Sequence, residues 1–498
     1  MGKKLYITTA IPYVNGTPHI GNALDYLYAD IWTRYQKLKG KDVRFQVGTD
    51  EHGNKIAAKA AELGIDPKTY TDQMYGAFEQ MARKVGAEFT DFIRTTDGHH
   101  VGAVQYIWQQ LQPYIYKSSY KGWYCQGCEA FVTDKEAEAN GGTCPDHQQP
   151  YQRVEEENYY LRCSDFTDKV REAIESGKMQ IVPEFRKKEF LELIKDGVQD
   201  VSISRPRKNL SWGVSVPGDD TQVMYVWLDA LANYITVLGY PDNPEWKDYW
   251  PADIQVIGKD ILRFHAGIWP PMLLTLGLPL PKKLLVHGFV NVNGAKMSKS
   301  VGNVVDPDEI IDTYGVDAFR YFFARHIPTQ DDGDFTWEKF EIAYNTELGN
   351  DLGNLIQRVA SMVNRYQAGV YGDVDSGEHD IQLYREAMDS LNFNVAMDEA
   401  WNQIRSANQY LQQVQPWEVA KRAKEDPDAA EHLGDILRHA IGTLLQVAYL
   451  LEPFLPETAA KIRATFHDGM VHDQGILFPK IYHHTEDPRT KHAQPKAQ

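Results

Sequence analysis

The feature that most restricts this chain is a strand–helix alternation that starts, stops and resumes. KLYITTAIPY (4–13) reads as a strand, residues 22–39 as an amphipathic helix, KDVRFQVGTD (41–50) as a second strand and 53–63 as another helix. Such alternation requires a parallel sheet with helices on its faces. It returns in ADIQVIGKDI (252–261) and KKLLVHGFV (282–290), joined by a helix over 261–276. Between 114 and 215 turn residues, cysteines and short mixed runs dominate, the pattern of a domain inserted into the sheet. Beyond about 340 strand signals vanish. The stretches 344–368, 382–413 and 429–451 carry helical periodicity and predict a bundle. At 498 residues the length suits about three units. The final DPRTKHAQPKAQ is polar and is expected to fray.

Composition excludes some classes. No apolar run approaches the roughly 18 residues that a membrane helix needs. The opening MGKKLYITTA is too short in its apolar part for a leader, so it reads as the first strand of a cytoplasmic protein. A net charge of −17 argues against non-specific coating of nucleic acid. It leaves room for one basic face, with Arg186–Lys188 and Arg205–Lys208 as candidates or as ordinary solvated runs.

The chemistry sits at strand ends. PYVNGTPHIGNA (12–23) joins the first strand to its helix, where unpaired N–H groups and the helix dipole suit a phosphate. Gly16 and Gly21 let a nucleotide approach, and His19 and Asn22 add donors. NGAKMSKS (293–300) follows the strand 282–290 and carries two ammonium groups and two hydroxyls, suited to charge building on a leaving pyrophosphate. His19, Ile20 and Gly21 match the HIGH signature of class I aminoacyl-tRNA synthetases, with Asn22 replacing the second histidine. Residues 296–300 match that class's KMSKS loop letter for letter.

AIPYVNG, GTDEHG, YVWLDALANYI and GKDILRFHAGIWP extend the resemblance to the methionyl-tRNA synthetases over nearly the whole chain. It implies a Rossmann-type α/β catalytic domain (1–113 and 216–288) split by a connective insertion (114–215). A KMSKS and stem-contact region (289–340) and an all-α anticodon-binding domain (341–498) would follow. It implies that His19, Gly21, Asn22, Lys296, Met297, Ser298 and Lys299 bind ATP, with His19, Asn22, Lys296 and Lys299 acting on the transition state. Ile11, Pro12, Tyr13, Asp50, Trp227, Ala230, Leu231, Tyr234, Asp260, Ile261 and His265 would line the methionine site, with Arg205 of SISRP close by. Aromatic walls suit a polarisable thioether. Leu231 and Asn233 depart from the family's usual Pro and Gly.

YCQGCEAFVTDKEAEANGGTCPDHQQ places Cys125 and Cys128 two residues apart and Cys144 and His147 likewise. Three thiolates and an imidazole saturate a tetrahedral zinc, so one structural Zn2+ per chain, away from the chemistry, is predicted. Cys163 stands apart as a buried thiol. In the helical third the resemblance implies that Asn354, Arg358 and Trp417 read the anticodon.

The implied activity is methionine–tRNA ligase: L-methionine and ATP, with Mg2+, give methionyl-adenylate, and the methionyl group passes to tRNA(Met), initiator and elongator. A cysteinyl enzyme would scatter its zinc ligands along the chain, and a non-catalytic RNA-binding relative would have no use for residues 296–300. Residues 480–498 resemble no dimerising domain, so a monomer is expected.

Overall fold

In the computed structural model, residues 4–127, 130–145, 148–297, 304–374 and 381–485 are described. The chain opens with β1 (Lys4–Thr9), β2 (Asp42–Thr49) and β3 (Asp91–Arg94), then leaves the sheet to form β4 (Ile115–Cys125), β5 (Ala130–Val132) and β6 (Gln152–Leu161). It returns as β7 (Gln180–Val182), leaves again for β8 (Val201–Ser202), β9 (Ser204–Pro206) and β10 (Gln222–Met224), and closes with β11 (Ile254–Gly258) and β12 (Lys283–His287). The six-stranded sheet has the order β3-β2-β1-β11-β12-β7, with every pairing parallel. The antiparallel sheet β5-β4-β6-β8 forms the insertion. β7 lies inside the stretch 114–215 yet pairs with β12, so that stretch is not a continuous excursion. Three residues, QIV, were too short a signal to read as a return.

Successive strand residues face opposite ways, and the packing follows. Leu5 and Ile7 lie in one core with the helix α1 (Ile20–Leu38), while Tyr6 lies in the other with Trp108, Tyr234 and Trp269. The first core runs without a break into the helical third, through Phe393, Trp401, Leu437 and Phe454. Arg320, wholly buried, ties the same junction. It pairs with Asp30 of α1 at 2.7 Å and donates to the carbonyls of Val85, Pro453 and Phe454.

Two expected helices are broken for local reasons. The stretch 261–276 divides into Leu262–Gly267 and Trp269–Thr275, because Pro270 and Pro271 supply no N–H. The stretch 382–413 divides into Gln382–Asp389 and Phe393–Val414 at Leu391, whose φ is +59°. A small hairpin, Phe466–His467 with Met470–Val471, adds strand structure beyond 340, where none was expected.

Candidate active site

Strand order reverses between β1 and β11, and a parallel sheet opens a crevice beyond its C-terminal edge at such a point. A cavity of about 440 Å³ occupies it. Its walls are Ala10–Tyr13 after β1, Asp50 after β2, Gly258, Asp260 and Ile261 at the end of β11, and His287–Val290 at the end of β12. Asp50 donates its N–H to the Pro12 carbonyl, so the segments leaving β1 and β2 stay paired. Gly53 (φ +119°) faces Tyr13, whose hydroxyl would lie 2.4 Å from a Cβ there. No other residue fits that position without displacing the ring.

At one end of the cavity His19 caps α1 in extended conformation. Its Nδ1 accepts from the Gly21 N–H at 3.1 Å, which assigns the ring proton to Nε2 and makes the neutral imidazole a donor. Asn22 Oδ1 accepts from the His19 N–H, leaving the Asn22 amide nitrogen as its donor end. A Cβ on Gly21 would come within 2.9 Å of the His19 ring, so glycine permits the folded-back histidine. Across the cavity, β13 (Val290–Val292) and β14 (Ala295–Lys296) make a hairpin over Asn293–Gly294, both with positive φ. Exposed Lys296 on that hairpin lies 5.2 Å from the Phe289 ring, and Met297 joins the lining. Ser298 and Lys299 lie outside the described residues.

The other end is walled by aromatic rings around an uncharged histidine. Trp227 stacks on Phe264 at 3.8 Å and meets His265 edge-on. His265 donates from Nδ1 to the Ile261 carbonyl and accepts at Nε2 from the Tyr234 hydroxyl at 2.6 Å. Burial pushes its pKa down to about 4, so the imidazole is uncharged at neutral pH. Ile11, Pro12, Tyr13, Asp50, Trp227, Ala230, Leu231, Tyr234, Asp260, Ile261 and His265 all line this one cavity, together with His19, Gly21, Asn22, Lys296 and Met297.

Several lining groups escaped the sequence reading. Asp25 contacts His287 at 3.0 Å, and His287 also donates to the Gly288 carbonyl. Burial raises Asp25; burial opposes the charged form of His287, but the Asp25 carboxylate outweighs it, and the pair holds a proton. Asp25 lies one helical turn beyond Asn22, and His287 ends a parallel strand, the signal that was present in the sequence. Behind the wall, Asp229 accepts from His52 (2.7 Å) and His100 (2.9 Å). Burial would raise that carboxylate, yet the two imidazoles hold it at about 2. The pairing locks the helix Val226–Thr236 to the turn that carries Asp50.

Other predicted residues fall elsewhere. Arg205 does not line this cavity and is no surface cation; it is buried beside a second cavity. Cys125 and Cys144 are buried with Ala137 and Tyr151, whereas Cys128 and His147 lie outside the described residues. The cysteines share a groove with Lys259, Asp260 and Phe289, and Lys55 Nζ donates to the Gly127 carbonyl at 2.6 Å. Cys125 and Cys144 therefore lie beside the cavity rim, where a position away from the pocket was expected. Cys163 is buried, which raises its thiol pKa. Asn354 is exposed, Trp417 half-buried, and Arg358 donates to Asn408 of the helix Phe393–Val414 at 2.9 Å.

A split parallel sheet with a histidine-capped first helix and a lysine hairpin facing it defines a class I aminoacyl-tRNA synthetase. Residues 5–360 match the family of class I tRNA synthetases (M), and 372–475 match the anticodon binding domain of methionyl tRNA ligase. The chain belongs to the methionine–tRNA ligases. It is 42% identical to that ligase of Caldanaerobacter subterraneus subsp. tengcongensis, over 93% of this chain and 74% of that protein. With the Brucella melitensis ligase the identity is 41%, over 92% and 91%. The solved structure of Mycobacterium tuberculosis methionyl-tRNA synthetase in complex with methionyl-adenylate superposes with a TM-score of 0.90 at 34% identity, covering 96% of this chain and 100% of that one.

Proposed function

We propose that the 440 Å³ cavity binds methionine and ATP together and joins them as methionyl-adenylate. The supporting observation is that both groups of residues, one aromatic and apolar with a carboxylate at Asp50, the other rich in donors, line one space at the sheet's switch point. The thioether lies among Tyr13, Trp227, Tyr234 and His265, with Asp50 taking the ammonium group. The methionine carboxylate is already a nucleophile, so no general base is needed; positioning, neutralisation and exclusion of water do the work. His19 Nε2 and the Asn22 amide donate to the phosphates from the helix N-terminus. Lys296 and Lys299 hold the departing pyrophosphate, and Mg2+ arriving with ATP shares its charge. ATP–pyrophosphate exchange driven by methionine, and not by leucine or cysteine, is the expected result; exchange driven by another amino acid overturns the assignment.

The remaining assignments belong to the same reading. Cys125, Cys128, Cys144 and His147 hold one structural zinc; the two described thiols, buried and lining one groove, fit that role. The helical part from 341 on reads the CAU anticodon of initiator and elongator tRNA(Met) through Asn354, Arg358 and Trp417. The protein acts as a cytoplasmic monomer. Among the described residues no helix is long and apolar enough to cross a membrane.

A further inference from the structure

Residues 478–485 fold back over the helix Trp337–Ile342, and one buried carboxylate fixes them there. Glu341, only 1% exposed, accepts from the backbone N–H groups of His483 at 2.8 Å and His484 at 2.7 Å, and from the hydroxyls of Tyr314 and Thr485. Two residues earlier, the Asn345 side chain donates to the Ile481 carbonyl at 2.7 Å and accepts from its N–H at 3.1 Å. Two consecutive histidines are thereby held by their backbone beside Glu309, in the first turn of the helix Pro307–Tyr314. Glu309, His483 and His484 are exposed, and each brings one ligand atom within 4.8 Å of the other two.

The spacing and the donor set both suit a metal ion. His484 Nε2 stands 3.4 Å from Glu309 Oε1. A charge-assisted hydrogen bond would measure about 2.7–2.9 Å. Two ligands of a tetrahedral ion, with bonds of about 2.0–2.1 Å, stand roughly 3.3–3.4 Å apart. The His484 ring lies flat on Trp337, with centroids 3.6 Å apart and planes 16° off parallel, so packing sets its orientation as well. The His483 ring stands at 90° to it, 4.7 Å between centroids. Ligands oriented in this way need little further ordering when an ion arrives. Two imidazoles and a carboxylate, without sulfur, suit Zn2+, Ni2+ or Cu2+, whereas Ca2+ and Mg2+ call for oxygen alone. Three protein donors leave the remaining positions to water, so the ion exchanges more readily than one closed in by four ligands.

We propose that Glu309, His483 and His484 form a second metal site, for a divalent ion of the zinc type, which clasps residues 478–485 to the helix that follows the lysine hairpin. It shares no residue with the cysteine knuckle. Zn2+ and Co2+ are titrated into the purified enzyme after dialysis against a weak chelator. Glu309→Gln and His484→Gln are compared with the unaltered protein, and His432→Gln, an exposed histidine on another helix, controls for scattered surface binding. Glu309→Gln leaves the Trp337 stack intact, so it decides the matter even where His484→Gln lowers the melting temperature. The unaltered protein and His432→Gln should bind one ion that both cluster variants bind at least about tenfold more weakly. That ion, as Co2+, should show visible d–d bands without the thiolate charge-transfer band that marks a cysteine site. Zn2+ should raise the melting temperature of the unaltered protein more than that of Glu309→Gln. Equal binding in all four proteins, an effect of His484→Gln that Glu309→Gln does not share, or a Co2+ spectrum of thiolate character alone overturns the proposal.

Discussion

Both ring nitrogens of His265 are committed, one to the Ile261 carbonyl and one to the Tyr234 hydroxyl, and burial keeps the ring neutral. A charge there would oppose an apolar side chain in the cavity. The depressed pKa also has a stability sign. Between the ordinary value of 6.5 and about 4 the unfolded chain takes up a proton that the folded protein refuses. This contribution is complete above pH 6.5 and is lost as pH falls toward 4, by roughly 3 kcal/mol at most. The acid-induced drop in melting temperature should therefore be smaller in His265→Gln than in the unaltered protein. Tyr234→Phe leaves Nε2 as a buried acceptor without a donor, at a cost of about 1–3 kcal/mol. It should raise the methionine KM and lower the melting temperature, and steady-state kinetics with thermal melts will check both. Normal values for both would remove the hydroxyl from the site.

At the scale of elements, Cys125 and Cys144 line one groove with Asp260 and Phe289. Cys144→Ser should release zinc and also slow pyrophosphate exchange severalfold, read by elemental analysis and exchange on one preparation. Zinc loss with full exchange would show the contact to be idle. That proximity was not legible in the sequence, because it arises where an inserted sheet folds back onto strands far away in the chain. What was legible has a common cause: Ile11 to Tyr13, Asp50 and Asp260 each follow a parallel strand, and strand ends converge at a switch point by topology alone. His287 was visible as a strand end but not as the partner of Asp25, since helix α1 meets β12 only after the sheet assembles. Arg205 read as part of a surface run because its neighbours Arg207 and Lys208 are ordinary cations, while its own burial depends on Phe131 and Tyr225. β7 escaped for lack of length, and the helix breaks at Ile268 and Leu391 turn on one or two residues each.

For the whole molecule, the decisive fact is that the sheet and the helical third share one core. Arg320→Ala would leave Asp30 paired with Arg34 alone and take a donor from the carbonyls of Val85, Pro453 and Phe454, at a cost of about 1–3 kcal/mol or more. Calorimetry should show a single transition moved down; two separated transitions would mean that the halves melt independently. Trp417→Ala tests the far end. Base–aromatic stacking is worth about 1–3 kcal/mol, so tRNA charging should fall by roughly five- to 160-fold while methionine-dependent exchange stays intact. If both activities and the melting temperature are normal, Trp417 has no part in recognition; a lowered melting temperature with charging restored on cooling would mean that it only packs the bundle. Tyr28 touches His287 of the cavity on one side and Phe393 of the helical third on the other, each at 5.8 Å between ring centroids. A molecule braced in this way behaves as a caliper with a fixed gap. A tRNA gripped at its anticodon presents its other end at the adenylate only if its own length matches that gap. An RNA of another length would then present its end off the adenylate.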